Sequence, residues 1–131
     1  MRLLLDTHIA VWAILDEPRL SRVAHDLIAD LDNEIFVSVA TLWEIAIKFA
    51  RRRGTPNDMP MSAADALQAF GDAGYEVLNV TTAHALAVSA LPPLHGDPFD
   101  RMLIAQSRSE RLRLLTVDAT VASYGGDIEL V

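Results

Sequence analysis

Short apolar runs alternate along this chain with segments whose apolar residues recur at helical spacing. The apolar runs lie at 3–5, 35–37, 76–80, 114–117 and 128–131. Each is short enough for a strand, and the last one predicts an edge strand. Between the second and third runs, Leu42, Ile45, Ala46 and Phe49 follow the i, i+3, i+4, i+7 pattern of one helix face. Strands that alternate with helices, without a tight hairpin signal, predict an α/β fold with a parallel sheet covered on both faces.

Capping residues delimit the predicted helices. Ser21 precedes a segment expected to be helical as far as Leu31, and Ser38 precedes the long helix that carries Phe49. The other candidate caps are Ser62 with Asp65, Thr81 or Thr82, Asp97 before Pro98, and Asp118. The clearest loop is the segment 54–60, which holds Gly54, Pro56 and Pro60.

Length and composition limit the classes of protein that fit. A chain of 131 residues is expected to form one domain, 1–131. The absence of cysteine excludes disulfides, thiolate metal sites and cysteine nucleophiles. Asp6 interrupts the first apolar run too early for a signal peptide, and no apolar window approaches the ~18 residues of a membrane helix. We therefore expect a cytoplasmic protein that does not enter a membrane.

The net charge of −7 argues against broad, non-specific binding of nucleic acid. It does not exclude a nucleic-acid enzyme, because a carboxylate metal site contributes negative charge itself. The basic residues cluster at Lys48 with 51–53, and at Arg108, Arg111 and Arg113. Each cluster equally fits a solvated helix end whose arginines stabilise the C-terminal dipole.

Four acidic residues occupy positions from which they could act together. Asp6 and Asp118 each follow an apolar strand, Asp100 falls in the first turn of a predicted helix, and Glu44 lies between large apolar residues. Each aspartate alone is explained as a helix cap or a first-turn charge, and Glu44 could pair with Lys48. In a doubly wound sheet, however, all four positions lie at the carboxyl edge, where ligands bind. Carboxylates that converge there need a cation, and oxygen ligands favour Mg²⁺ or Mn²⁺, which activates water for attack on a phosphodiester.

The sequence resembles a PIN-domain ribonuclease, specifically a VapC-type toxin of a bacterial toxin–antitoxin pair. The resemblance rests on four segments in series: LLLDTHIAVWA, VSVATLWEIAIK, HGDPFDRMLIAQS and LLTVDATVASYG. It implies a catalytic quartet of Asp6, Glu44, Asp100 and Asp118, with the metal on Asp6, Asp100 and Asp118. The cofactor would be Mg²⁺, with Mn²⁺ able to substitute. Asp97 lies just outside the quartet and is expected to cap the helix that aims Asp100.

The resemblance further implies a three-layer α/β/α sandwich around a mostly parallel sheet of four to five strands. It also implies endoribonuclease activity, a homodimer, and an antitoxin that wraps the protein and blocks its site. A PIN-type RNA-processing nuclease outside a toxin pair remains an alternative. So does a non-catalytic binding module whose acids are all caps.

Two other acidic, magnesium-binding folds fit less well. A haloacid-dehalogenase-type phosphatase needs a second aspartate two residues after the first, where this chain has His8. A phosphoacceptor receiver domain needs a lysine at a late strand end, and the only lysine is Lys48.

Several neighbours of the acids are weaker candidates. Thr7 and Thr116 could hydrogen-bond a water at the site or cap a helix, and Arg101 could neutralise a phosphate or pair with an acid. His95 precedes a glycine in a loop and is expected to be inert, as are His8, His25 and His84. Trp12 and Trp43 are expected to pack in the core or at a protein interface.

Overall fold

The computed structural model describes residues 1–131. Five strands form the sheet: β1 (Arg2–Leu5), β2 (Glu34–Ser38), β3 (Glu76–Leu78), β4 (Arg113–Thr116) and β5 (Ile128–Leu130). Seven helices connect them: α1 (Thr7–Leu15), α2 (Arg22–Ala29), α3 (Val39–Ala50), α4 (Ala63–Asp72), α5 (Thr82–Val88), α6 (Pro98–Glu110) and α7 (Ala119–Ala122). None of these helices is both long and apolar enough to cross a membrane.

All five strands are parallel, in the order β3-β2-β1-β4-β5. The register places Leu4 of β1 beside Phe36 of β2 and Leu114 of β4. The predicted sheet of four to five strands is therefore confirmed with five, and it is wholly parallel. Chain order reverses at β1, because β2 and β3 extend the sheet on one side and β4 and β5 on the other. A crevice between β1 and β4 at their carboxyl ends is the place where such sheets bind ligands.

The two faces of the sheet bury separate apolar clusters. Leu3 and Leu5 of β1 belong to the first cluster, with Ile45 of α3 and Phe70 of α4, whereas Leu4 belongs to the second. The second cluster receives residues from α6 and α7 and from the segment after α5, among them Leu91, Leu103, Ile104, Val121 and Tyr124. Successive strand residues point to opposite faces, so a run of three leucines is buried on both sides. The three-layer α/β/α arrangement follows directly.

Two predicted elements are shorter than expected. Helix α2 ends at Ala29 rather than near Leu31, since Asp30 is extended and its carboxylate accepts a hydrogen bond from the N–H of Asp32. Strand β3 ends at Leu78, and the carbonyl of Asn79 accepts a side-chain hydrogen bond from Gln106 of α6. In both places a side chain satisfies backbone groups that a longer element would have paired.

Candidate metal centre

Asp6 lies directly after β1 and uses its two carboxylate oxygens differently. Oδ1 accepts from the backbone N–H of Ile9 at 2.9 Å and thereby caps α1. Oδ2 accepts from the hydroxyl of Thr116 at 2.7 Å and from the N–H of Val117 at 3.3 Å, both at the end of β4. Burial raises the pKa of Asp6 above its ordinary value, against the opposing effect of these hydrogen bonds. The residue is therefore a cap and a buried acid of the β1–β4 crevice at once.

Asp118 divides its oxygens in the same way. Oδ1 caps α7 by accepting from the N–H groups of Thr120 and Val121, while Oδ2 lies 2.9 Å from Nε2 of His95. The backbone N–H of Asp118 donates to the hydroxyl of Thr116, which itself donates to Asp6. Thr116 thus joins the two strand-end acids. The hydrogen bond from His95 lowers the pKa of Asp118.

Asp100 lies in the first turn of α6, and Asp97 is the N-cap of that helix. The Asp97 carboxylate accepts from the N–H groups of Phe99 and Asp100, and Pro98 occupies the first helical position. Because α6 runs towards the start of β4, its first turn lies at the carboxyl edge of the sheet. Burial, followed by the negative charge of Asp97, raises the pKa of Asp100 to about 7. The charges of Asp6 and Glu44 add to this rise, so both act on the Asp100 carboxylate through space.

His95 joins Asp100 to Asp118. Its Nε2 lies 3.2 Å from Oδ2 of Asp100 and 2.9 Å from Oδ2 of Asp118. Its Nδ1 accepts from the backbone N–H of Asp97 at 3.0 Å, which places the proton of the neutral ring on Nε2. His95 therefore donates to Asp118, and the same N–H lies close to the Asp100 carboxylate. The hydrogen bond to Asp118 raises the pKa of His95, with the charge of Asp100 adding to the rise.

Glu44 lies in the second turn of α3 and is almost fully buried. Its Oε1 accepts from the hydroxyl of Thr7 at 2.7 Å, and that hydroxyl lies 3.1 Å from Oγ1 of Thr41. Its Oε2 pairs with the ammonium of Lys48, one helical turn on and 46% exposed. The structure therefore contains the ion pair between Glu44 and Lys48 that the sequence allowed, although the Glu44 carboxylate is buried. A charge buried in this way requires such partners.

The donor set fits a hard divalent cation. One atom each of His95, Asp100 and Asp118 lie within 4.8 Å of one another. Asp6 and Glu44 stand outside that group but approach Asp100 closely enough to raise its pKa. Crowded carboxylate oxygens are the ligands that Mg²⁺ and Mn²⁺ prefer, and a cation would offset the burial and the neighbouring negative charges that raise the pKa of Asp100. His95, Asp100 and Asp118 are the residues whose ligand atoms the structure brings close enough together for one ion.

The remaining candidates have structural partners. Arg101 donates to the carbonyls of Val88, Leu91 and Pro92 and to the hydroxyl of Tyr124, so it fastens the segment after α5 and pairs with no acid. Thr7 orients Glu44, as described above.

The sequence interpretation of His95 as inert is wrong, because its ring contacts two members of the predicted quartet. One signal was available in the sequence. His95 lies two residues before the N-cap Asp97, and a segment that leads into an N-cap passes close to the first turn of its helix. Its side chain could therefore have been expected near Asp100.

The sequence matches the PIN domain over residues 3–126. The chain belongs to the PIN-domain family. PIN domains are generally nucleases and typically use a divalent metal, in accordance with the acidic cluster at this sheet edge. A comparison with proteins of curated function finds no match.

Solved structures that resemble this PIN domain include three bacterial toxin–antitoxin assemblies. VapBC2 from Rickettsia felis, bound to a DNA fragment from its promoter, has a TM-score of 0.71 at 18% identity and covers 98% of each chain. DNA-bound VapBC from Salmonella typhimurium has a TM-score of 0.69 at 17% identity, covering 98% of this chain and 97% of the other. A toxin–antitoxin complex from Klebsiella pneumoniae has a TM-score of 0.67 at 17% identity, covering 97% and 95%. At these identities the likeness shows the shared fold.

Proposed function

We propose that this PIN domain is a divalent-metal-dependent endoribonuclease and the toxin of a toxin–antitoxin pair. The observation that carries the proposal is the hydrogen-bonded chain from Asp6 through Thr116 and Asp118 to His95, whose Nε2 also lies 3.2 Å from Oδ2 of Asp100. It gathers acids from three separate parts of the sequence at the carboxyl ends of β1 and β4. The negative charges of these acids repel one another, and a bound cation would remove that repulsion.

Asp6, Asp100 and Asp118 would hold Mg²⁺, or Mn²⁺ in its place. The bound ion would supply the charge that activates a water and neutralises the phosphodiester under attack. The chain's part is to fix the ligand geometry. Asp6 is held by three donors, Asp97 orients the first turn that carries Asp100, and Thr7 with Lys48 fixes the direction of Glu44. Glu44 completes the quartet from the α3 side.

The toxin role rests on the fold and on the complexes in which structurally similar proteins were solved. Three neighbours were solved as toxin–antitoxin complexes, and each aligns with nearly the whole of this chain. We propose an antitoxin protein as a partner on that basis, and a second copy of this chain on the basis of the resemblance to VapC-type toxins. Growth arrest on induced expression in a bacterial host, relieved by Asp100→Asn, would support the toxin role. RNA cleavage without growth arrest would instead favour an RNA-processing nuclease.

The activity is tested with purified protein and a mixed set of end-labelled RNAs, in Mg²⁺, in Mn²⁺ and in excess chelator. Internal cuts are expected with either metal and none with chelator. Asp6→Asn and Asp100→Asn should abolish cleavage while remaining folded. Asp65→Asn is the matched control, because Asp65 is also a first-turn acid but lies on the exposed face of α4. Cleavage that persists in Asp100→Asn, or that ignores chelator, would contradict the proposal.

A further inference from the structure

A groove that reaches Lys48, the partner of Glu44, is otherwise lined by residues that the catalytic proposal does not use. It runs between α1, the end of α3 and the loop 56–60, has a volume of about 540 Å³, and is called the α1–α3 groove below. His8, Trp12, Arg19, Lys48 and Arg51 line it. This volume is within the range of ligand pockets.

The aromatic part of the groove is already arranged as a stack. The rings of His8 and Trp12 are nearly parallel, at 11°, with centroids 5.6 Å apart. The guanidinium carbon of Arg19 lies 5.1 Å from the centroid of the Trp12 ring. His8 is exposed and Trp12 is half-buried, so flat groups in the groove can stack against them. Nucleobases stack on such surfaces in proteins that bind single-stranded nucleic acid.

The lining of the groove has a small excess of positive charge, with three basic residues against two acids. Glu17 pairs with Arg19, whereas Asp58 keeps its negative charge and accepts four hydrogen bonds from residues 53–55 of its own loop. Arg51 ends α3 and takes part in none of the ion pairs. On a chain with a net charge of −7, a concave surface with an unpaired arginine beside stacked aromatic rings is unusual. A nucleotide would match both features, since its phosphate can contact the arginine and its base can stack on the aromatic rings.

One residue that lines the groove contacts the acidic quartet. Lys48 pairs with Glu44, and His8, which also lines the groove, is two residues after Asp6. An RNA strand whose phosphodiester reaches the acids could therefore extend towards the groove.

We propose that the α1–α3 groove binds a nucleotide of single-stranded RNA next to the cleaved bond, with its base against His8 and Trp12 and its phosphate on Arg51. This inference rests on the proposed ribonuclease function and deepens it. The groove would fix the position of the substrate strand, so its residues contribute to binding more than to the chemical step.

The two tryptophans of the chain permit a direct spectroscopic test. Trp43→Phe leaves Trp12 as the only tryptophan, and Trp12→Phe leaves Trp43, which is 64% exposed and lies outside the groove against Phe99. Each variant also carries Asp100→Asn to prevent cleavage. Titration with a short single-stranded RNA should quench the Trp12 emission and leave the Trp43 emission nearly unchanged. An abasic strand of equal length should bind without this quenching.

Affinity and kinetics supply the second test. Arg51→Gln should weaken RNA binding severalfold and reduce the slope of log K against log salt by about 0.7, the share of one single-strand phosphate. Trp12→Leu should weaken binding roughly tenfold. In the active protein both changes should raise KM and leave kcat nearly unaltered. Arg111→Gln, an exposed arginine after α6, and Trp43→Leu are the matched controls.

The outcomes separate the two proposals. If the unchanged protein neither binds nor cleaves any RNA, the ribonuclease proposal itself fails. If it cleaves RNA while the groove variants keep their affinity and Trp12 is not quenched, only the groove assignment is overturned, and a protein partner becomes its occupant. Should Trp12→Leu fail to fold, His8→Ala replaces it, because the His8 side chain is exposed.

Discussion

The Nε2 atom of His95 lies 2.9 Å from Oδ2 of Asp118, although the two residues are 23 positions apart. The same nitrogen lies 3.2 Å from Asp100, so a single N–H is placed between two carboxylates. Backbone donation to Nδ1 fixes the ring that makes these contacts. In the metal-free protein His95 thus partly offsets the repulsion that a divalent cation would remove.

Replacement of His95 by alanine should lower the melting temperature of the metal-free protein by several degrees. Asp100 and Asp118 would lose the N–H that lies between them, and about 1 kcal/mol corresponds to roughly 3–6 °C in a domain of this size. The stabilisation by Mg²⁺ should grow, since the ion no longer competes with Nε2–H for the carboxylate oxygens. Thermal melts with and without Mg²⁺ at constant ionic strength measure both effects. A smaller Mg²⁺ response would show instead that His95 is a metal ligand.

The variant Asp100→Asn should be more stable than the unchanged protein when no metal is present. It removes a carboxylate whose pKa is raised to about 7 by burial and by the charges of Asp97, Asp6 and Glu44. Its response to Mg²⁺ should shrink, because a proposed ligand is lost. The same melts provide the measurement. An unchanged or lower metal-free melting temperature would contradict the clustered-carboxylate description.

The stability of the metal-free protein should fall as the pH rises from about 4 to about 7. The folded state holds the proton on Asp100 up to about pH 7, whereas the unfolded chain releases it near the ordinary aspartate pKa of 3.8. His95, whose pKa is also raised, contributes in the same direction, with stability lost as the pH passes its folded value. Chemical denaturation across this range should therefore show a negative slope that is shallower in Asp100→Asn. Asp118 acts oppositely, but only as the pH falls through its lowered pKa.

Asp97→Asn should retain RNA cleavage, in contrast to Asp100→Asn. Asparagine caps helices about as well as aspartate, so the free energy of unfolding should change by less than about 1 kcal/mol. Loss of the Asp97 charge should also lower the pKa of Asp100, for which that charge is the second-largest cause of the rise. The lower limb of the pH–rate profile should then shift to lower pH. An equal loss of activity in both variants, with both folded, would mean that Asp97 acts at the metal.

Thr116→Val should destabilise the protein by about 1–3 kcal/mol, the usual cost of depriving buried polar groups of a partner. Thr116 is fully buried and donates to Asp6 while accepting from the N–H of Asp118. The affinity for Mn²⁺, followed by calorimetry, should decrease as well, because Asp6 and Asp118 lose their common support. Thr120→Val, at an exposed position on α7, controls for the substitution itself. Equal stability of the two variants would contradict the role given to Thr116.

The sequence by itself determined the class of fold and the positions of its acids. Short apolar runs such as Leu3–Leu5 are typical of strands buried on both faces, which requires helices on each side of a parallel sheet. Caps such as Asp97 before Pro98 act within one helical turn, so they can be predicted from the sequence alone. The predicted ends of α2 and β3 were wrong, because the side chains of Asp30 and Gln106 form hydrogen bonds with backbone groups there.

Only the tertiary structure decided how the acids are connected. Whether Asp6 acts only as a helix cap could not be settled from its position, and the structure shows that one oxygen caps α1 while the other accepts hydrogen bonds from the end of β4. His95 and Thr116 owe their roles to contacts across 23 and 110 positions, which no local pattern encodes. The α1–α3 groove likewise depends on α1, α3 and a distant loop meeting in space. Local spacing governs hydrogen bonds within a turn, whereas charge clustering and concave surfaces arise only when the sheet brings distant segments to one edge.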